Sequence, residues 1–156
     1  MTKPSVMLKK AQIKNARSIQ LLWSEIYQEN SCFVGQPAST SRIKELIASN
    51  RVHKVPYLLA FFGDQLIGSC EIIIRNNKAL IGVMVDSKYR KSGTATRLIN
   101  ACLEYFNHYD KNTVYLWVLD RNLPAIQLYK KLGFIRTSSS PRPINKDSHL
   151  IEFKKP

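Results

Sequence analysis

Val83-Met84-Val85-Asp86-Ser87-Lys88-Tyr89-Arg90-Lys91-Ser92-Gly93-Thr94-Ala95 is the stretch whose reading decides the fold. It starts as the end of an apolar run, Ala79–Val85, and turns through a basic loop. At Gly93 it opens into a segment whose apolar residues Ala95, Leu98, Ile99, Cys102 and Phe106 recur on one face. That spacing predicts an amphipathic helix over Gly93–Phe106. The next run, Thr113–Leu119, is apolar on both faces, as expected of a buried central strand. Strand, helix and strand from Ala79 to Leu119 form a βαβ unit, whose two strands are parallel and joined by a right-handed crossover.

Upstream, Tyr57–Phe62, the turn at Gly63-Asp64, the β-branched run Gln65–Arg75 and the turn at Asn76-Asn77 lead into Ala79–Val85. Such tight turns predict an antiparallel meander. Earlier still, Ser5–Leu8 reads as a short strand. Asn15–Gln28 reads as a helix striped by Ala16, Ile19, Trp23, Ile26 and Tyr27, with Asn15 as its cap. Phe33–Thr40 reads as loop, and Ser41–Ser49 as a second helix ended by Asn50. Downstream, Leu123–Leu132 forms a short helix with Asn122 at its start, Pro124 in its first turn and Gly133 just past its end. Phe134–Thr137 and Leu150–Phe153 are strands, separated by a loop over Ser138–Lys146. The expected fold is α+β: a mixed sheet, antiparallel at first and then with a parallel pair, flanked by helices, in a single domain over 1–156.

Composition bounds what such a domain does. A chain of 156 residues buries a sizeable core without staples. Its 44% hydrophobic and 22% charged residues exclude disorder, collagen and coiled coil. Cys32, Cys70 and Cys102 form no CxxC pair, and His53, His108 and His149 no HExxH pattern, so no metal site is expected. The cysteines read as small buried hydrophobes in a reducing compartment. No apolar run is long enough to span a bilayer, and Met1–Lys10 lacks the apolar centre of a signal peptide. A cytoplasmic location without membrane partners is expected.

The unusual quantity is charge: 24 Lys and Arg against 11 Asp and Glu, a formal net charge of +13. Such a field draws in anions. The basic residues are spread along the chain rather than gathered in a tail, so solubility is an equally good account. Nucleic acid stays open as a partner, though no motif supports it, and a homodimer stays open too.

Two segments carry chemistry. In the first, a basic loop precedes a helix N-terminus, where unpaired N–H groups favour phosphate. Arg90 and Lys91 add charge, Gly93 permits close backbone approach, and Thr94 offers a hydroxyl. The P-loop and dinucleotide fingerprints are both absent. In the second, Asn122-Leu123-Pro124-Ala125-Ile126-Gln127-Leu128-Tyr129-Lys130-Lys131-Leu132-Gly133-Phe134, Ala125 and Tyr129 share one helix face.

Together these segments resemble the GNAT superfamily of N-acetyltransferases: R-x-x-G-x-A after a V-x-V strand, then N-x-x-A-x-x-L-Y-x-x-L-G-F after the next strand. The resemblance covers roughly Tyr57 to Phe134. It implies acetyl-CoA as cofactor, with the pyrophosphate on the loop Arg90, Lys91, Ser92, Gly93, Thr94 and Ala95. It also implies pantetheine lying as an added strand between splayed strands at Val83–Val85 and Leu116–Val118. Backbone groups at Val83, Met84 and Val85 would line that cleft. Asn122, Ala125 and Tyr129 match positions beside the thioester, and Tyr129 matches the acid that protonates the departing thiolate.

The implied chemistry explains why such groups are needed. Only a neutral amine attacks a thioester, and a lysine-like amine of pKa near 10.4 is neutral in only about one molecule in 2,500 at pH 7. A base or desolvation must offset roughly 4.6 kcal/mol. Charge developing on oxygen needs a donor, for which the Val85 N–H is placed, and thiolate departure needs a proton.

Two departures from the family pattern stand out. Ser92 and Ala95 occupy positions where glycine is common. The strand Ala79–Val85 also lacks the acidic residue often found there, which leaves Glu71, on the neighbouring strand, as the candidate base acting through water. An ordinary strand glutamate would instead face solvent. The positive charge disfavours a polycationic acceptor and suits an anionic amine-bearing molecule or an acidic protein terminus. Two other functions remain open: a GNAT-type toxin that acetylates aminoacyl-tRNA, and a non-catalytic GNAT-like module that binds CoA or nucleic acid.

Overall fold

A computed structural model describes residues 5–29, 35–106 and 113–156. Cys32, His108 and the first residues of the expected Phe33–Thr40 loop lie outside them. Among the described residues eight strands form one sheet: β1 (Val6–Lys10), β2 (Tyr57–Phe62), β3 (Gln65–Arg75), β4 (Lys78–Val85), β5 (Val114–Leu119), β6 (Ile135–Arg136), β7 (Arg142–Asn145) and β8 (Ser148–Lys155). Their order is β1-β2-β3-β4-β5-β8-β6, with β7 also on β8. Every pairing is antiparallel except β4 with β5. Asn76 and Asn77 both take positive φ between β3 and β4, as a tight hairpin requires.

Four α-helices among the described residues cover the sheet: α1 (Ala16–Glu29), α2 (Thr40–His53), α3 (Thr94–Phe106) and α4 (Leu123–Lys131). Strand alternation divides the core in two. Leu58, Ala60, Cys70, Ile72, Ile81, Leu116, Val118 and Phe153 face α3 and α4 with Leu98, Ile99, Cys102 and Ile126. Tyr57, Leu59 and Met84 face the other way, against Ile19, Leu22 and Ile26 of α1 and Ile43 and Ile47 of α2. Among the described residues no helix is long and apolar enough to cross a membrane.

Three local expectations change. Asn15 does not cap α1. It ends a 3-10 turn, Ile13–Asn15, and its Oδ1 accepts from the Gln12 N–H at 2.9 Å. Asn50 does not end α2, which runs on to His53 and closes at Lys54 in the left-handed region. Asn50 is instead buried, and its Nδ2 donates to the Pro56 carbonyl at 3.0 Å and the Ile72 carbonyl at 3.1 Å. One amide thereby ties α2 to β3 and to the lead-in of β2. The expected loop over Ser138–Lys146 contains β7, which holds to β8 through Arg142↔Leu150 and Pro143↔His149.

Asn50→Ala removes the donor from two carbonyls enclosed with it. A loss of about 2 kcal/mol is expected, which in a domain of this size lowers Tm by roughly 4–8 °C in a thermal melt.

Candidate active site

Strands β4 and β5 pair only at Ala79↔Val114 and Leu80↔Tyr115. Beyond that point each follows its outer neighbour. β4 stays in register with β3 as far as Val85↔Gly68, and β5 with β8 as far as Leu119↔Leu150. A gap therefore opens in the middle of the sheet. Peptide groups alternate sides along a strand. The Asp86 N–H donates to Ile67 of β3 at 2.8 Å, so Met84 and Gly82 also turn their peptide groups toward β3, while Val83 and Val85 turn theirs into the gap. Met84 itself contributes a buried side chain on the α1–α2 face. Strand edges left without ladder partners fit an extended ligand with peptide-like groups of its own.

At the end of the gap, Asp86 caps a 3-10 turn, Ser87–Tyr89, through its Oδ1 and the Lys88 N–H. Lys91 and Gly93 then both take positive φ, 58° and 82°, before α3 starts at Thr94. A backbone alternating in this way turns successive N–H groups into one concavity, which suits an anion. Gly93 is needed for its φ rather than for space, since a Cβ there would meet nothing within 4 Å. Ser92 Oγ lies 2.9 Å from Thr94 Oγ1 and also donates to the Tyr89 carbonyl. Arg90 folds back, its Nε donating to the Val85 carbonyl at 3.1 Å. It satisfies one of the gap's open acceptors and fixes the loop to the end of β4. Such a cradle suits an anion, and the open strand edges suit an extended chain.

Glu71 lies on β3 between Cys70 and Ile72, whose side chains face α3, so it faces the α1–α2 side. Its register partners are Tyr57 on β2 and Gly82 on β4. A Cβ built on Gly82 would stand 2.7 Å from Glu71 Oε1. The missing side chain lets the carboxylate lie across β4 toward the gap. Glu71 is only partly covered as a residue, but its carboxyl end is enclosed. That desolvation raises its pKa to about 7, against a backbone hydrogen bond that lowers it. Tyr57 is buried beside it, and burial and then the Glu71 charge push its phenol well above the usual range. Neither Gly82 nor Tyr57 was singled out from the sequence. A glycine inside a strand signals close approach by a neighbour, and that signal pointed to Gly82.

Tyr129 lies on the opposite face of the sheet, partly buried against the core that faces α3. It stands on α4, which Asn122 begins by accepting from the Ala125 N–H at 3.4 Å, with Pro124 in the first turn. Its ring meets Phe134 edge-on, with centroids 5.9 Å apart. Burial, and next the neighbouring Cys70, push its phenol above the usual range. The structure thus sets Glu71 and Tyr129 on opposite faces of the sheet, and the loop Arg90–Ala95 follows the end of β4. His149 belongs to a different corner, where its Nδ1 lies 3.4 Å from Asp120 Oδ2. Among the described residues no three His, Cys, Asp or Glu side chains converge.

The sequence profile of the Acetyltransferase (GNAT) family matches residues 23–134. The chain belongs to this family. It is 31% identical over 93 residues to N-alpha-acetyltransferase 30 of Homo sapiens, a match covering 54% of the chain and 26% of that protein. It is 41% identical over 56 residues to an N-alpha-acetyltransferase of Sulfurisphaera tokodaii, covering 35% of the chain and 34% of that protein. The chain spans between about a quarter and a third of the length of these relatives. In three dimensions it superposes on a GNAT-family acetyltransferase from Streptococcus pneumoniae with a TM-score of 0.85 at 17% identity, covering 97% of this chain and 99% of that one. A putative acetyltransferase from Salmonella typhimurium, solved with its cofactor acetyl-CoA, matches with a TM-score of 0.85 at 13% identity, over 97% and 93% of the two chains. At such identities the likeness establishes the fold.

The raised Glu71 pKa has a consequence for stability. A carboxyl near 7 in the fold and near 4.5 when unfolded favours folding fully below pH 4.5, and that contribution fades as pH rises through 7. Glu71→Gln has no charge to desolvate. Denaturation series should find the variant and the parent alike in acid and the variant more stable, by up to about 3 kcal/mol, in mild alkali.

Proposed function

We propose that this protein transfers the acetyl group of acetyl-CoA to a primary amine by direct attack, with Glu71 as base and Tyr129 as acid. One observation carries the reading: a gap opens between β4 and β5, with the enclosed Glu71 carboxyl of raised pKa on one face of the sheet and the partly buried Tyr129 phenol on the other. Acetyl-CoA, when bound, supplies an activated thioester. Val83 and Val85 would hold its extended arm through their peptide groups, and Lys91, Ser92, Gly93, Thr94 and Ala95 its phosphates. Arg90 would brace that loop, and Asn122 and Ala125 set the start of the helix that carries Tyr129.

The amine approaches from the α1–α2 face, where Glu71 lies. A carboxylate of pKa about 7 is half ionised at neutral pH and takes the ammonium proton, directly or through a water. The nitrogen then bonds to the carbonyl carbon as the carbon–sulfur bond breaks. The Val85 N–H, turned into the gap, is placed to steady negative charge developing on oxygen. Tyr129, protonated throughout the working range, gives its hydroxyl proton to the sulfur from the other face. Attack and departure thus use different faces, so the acid need not compete with the base for one proton.

Three outcomes are expected. Acetyl-CoA at 100 times its Kd raises stability by about 2.7 kcal/mol, read as a thermal shift, and an unmoved Tm at saturating acetyl-CoA contradicts the cofactor assignment. Tyr129→Phe keeps the ring against Phe134 and lowers kcat by about 10²–10⁴, with little change in acetyl-CoA affinity by calorimetry. In a thiol-release assay the rate rises with pH through about 7 in the parent. Glu71→Gln flattens that inflection and loses less at high pH, where more amine is already neutral. An equal loss at every pH would make Glu71 structural.

A further inference from the structure

The row of side chains that contains Glu71 continues across the gap. Leu80 pairs with Tyr115 in parallel, so two residues on, Gly82 and Trp117 stand level on either side of the opening. Trp117 in turn pairs with Glu152 of β8. Tyr57, Glu71, Gly82, Trp117 and Glu152 therefore form one line on the α1–α2 face. The helices on that face pack against β3 and β4, and Tyr115 and Trp117 stay partly exposed.

Cations lie along this aromatic floor. Lys78 sits 4.3 Å above the Tyr115 ring and 3.4 Å from Glu152. Glu152 is buried and also accepts from Thr137 Oγ1 at 2.8 Å and Ser139 Oγ at 2.9 Å. These donors and then Lys78 hold its carboxyl below its usual value against the cost of burial. Arg142 of β7 differs. Its guanidinium lies 4.1 Å above the Trp117 ring, and no carboxylate among the described residues lies within 4.0 Å of it. Stacking orients the planar fork and leaves its N–H edge free, which is the geometry that receives a carboxylate with two parallel hydrogen bonds.

We propose that Arg142, braced on Trp117, selects polypeptide acceptors that carry Asp or Glu in the second or third residue, with the α-amine placed at Glu71. The proposal rests on the acetyl-transfer reading above and names its acceptor class. Neighbouring strands lie about 4.8 Å apart, so Trp117, two strands from Glu71 across a widened gap, is on the order of 10 Å away. An extended chain covers that distance in about three residues. An α-ammonium, of pKa near 7.7–8.0, also parts with its proton more readily than a lysine ammonium near 10.4. The net charge of +13 adds an attractive field for an acidic segment.

The test uses three synthetic peptides with free α-amines, identical except for Glu, Gln or Lys at positions two and three, each assayed with acetyl-CoA and the full chain. The parent should prefer the Glu peptide over the Gln peptide in kcat/KM by about tenfold, mostly through KM. Arg142→Ala should bring that ratio near one, Arg142→Lys should restore part of it, and Arg142→Glu should turn the preference toward the Lys peptide. Thermal melts of each variant check that the fold is kept. Equal rates on all three peptides, or a preference that survives Arg142→Ala in a folded variant, overturn the proposal. So does acetylation of no peptide. If small-molecule amines then still release thiol, only the acceptor class has failed; if no amine does, the acetyl-transfer reading has failed with it.

Discussion

Parallel strands that part after two residue pairs impose a condition on everything around them. An unsatisfied peptide group enclosed in protein costs as much as a lost hydrogen bond, so a sheet does not open without something to hold each lip. Here the lips are held from outside. β3 keeps β4 in register to Val85, and β8 keeps β5 in register to Leu119. The β5–β8 ladder needs β8 to run antiparallel through six residue pairs, which explains why a late strand is inserted beside β5 rather than added at an edge. Arg90 closes the carbonyl at the top of β4, and the loop that carries it becomes the cradle beneath α3.

The same opening separates two titratable groups by environment. Alternation along β3 sends Cys70 to the α3 face and Glu71 to the α1 face, and Tyr129 on α4 packs near Cys70. One carboxyl and one phenol therefore lie on opposite faces of the sheet without facing one another. Each is shifted by desolvation, and in both the shift favours the protonated form. For the phenol this guarantees a proton at neutral pH. For the carboxyl it moves the titration to where an amine's proton is nearly matched. Gly82 makes the second case possible, because any side chain there would push the carboxylate off β4.

Much of the architecture was legible in the chain because it rests on local periodicity. The 3.6-residue stripe of α3, the hairpin turn at Asn76-Asn77, the paired apolar faces of β5 and the cap of α4 at Asn122 each depend on residues close in sequence. So did the loop from Arg90 to Ala95, legible as a basic turn running into a helix start. What misled was also local in kind. Asn15 and Asn50 have the composition of helix ends, yet one closes a 3-10 turn and the other is drawn into the core by carbonyls of Pro56 and Ile72. The strand β7 lacks any alternation and exists because β8 offers it an edge.

The sequence alone determined the order of elements and the residue types at the gap, because turn chemistry, capping and apolar spacing act over a few residues. It named Glu71 as a candidate for want of an acid on β4, although a solvent-facing side chain was the better-supported reading of a strand glutamate. Only the tertiary structure decided that its carboxyl end is enclosed. Cross-strand register sets Glu71 against Gly82 and Tyr57, and enclosure by those strands and by α1 and α2 raises its pKa to about 7. Register likewise brings Arg142, which reads as loop, over Trp117 from more than twenty positions away. Proton affinity and charge placement depend on which distant segments exclude water from a group, and no window of sequence contains that information.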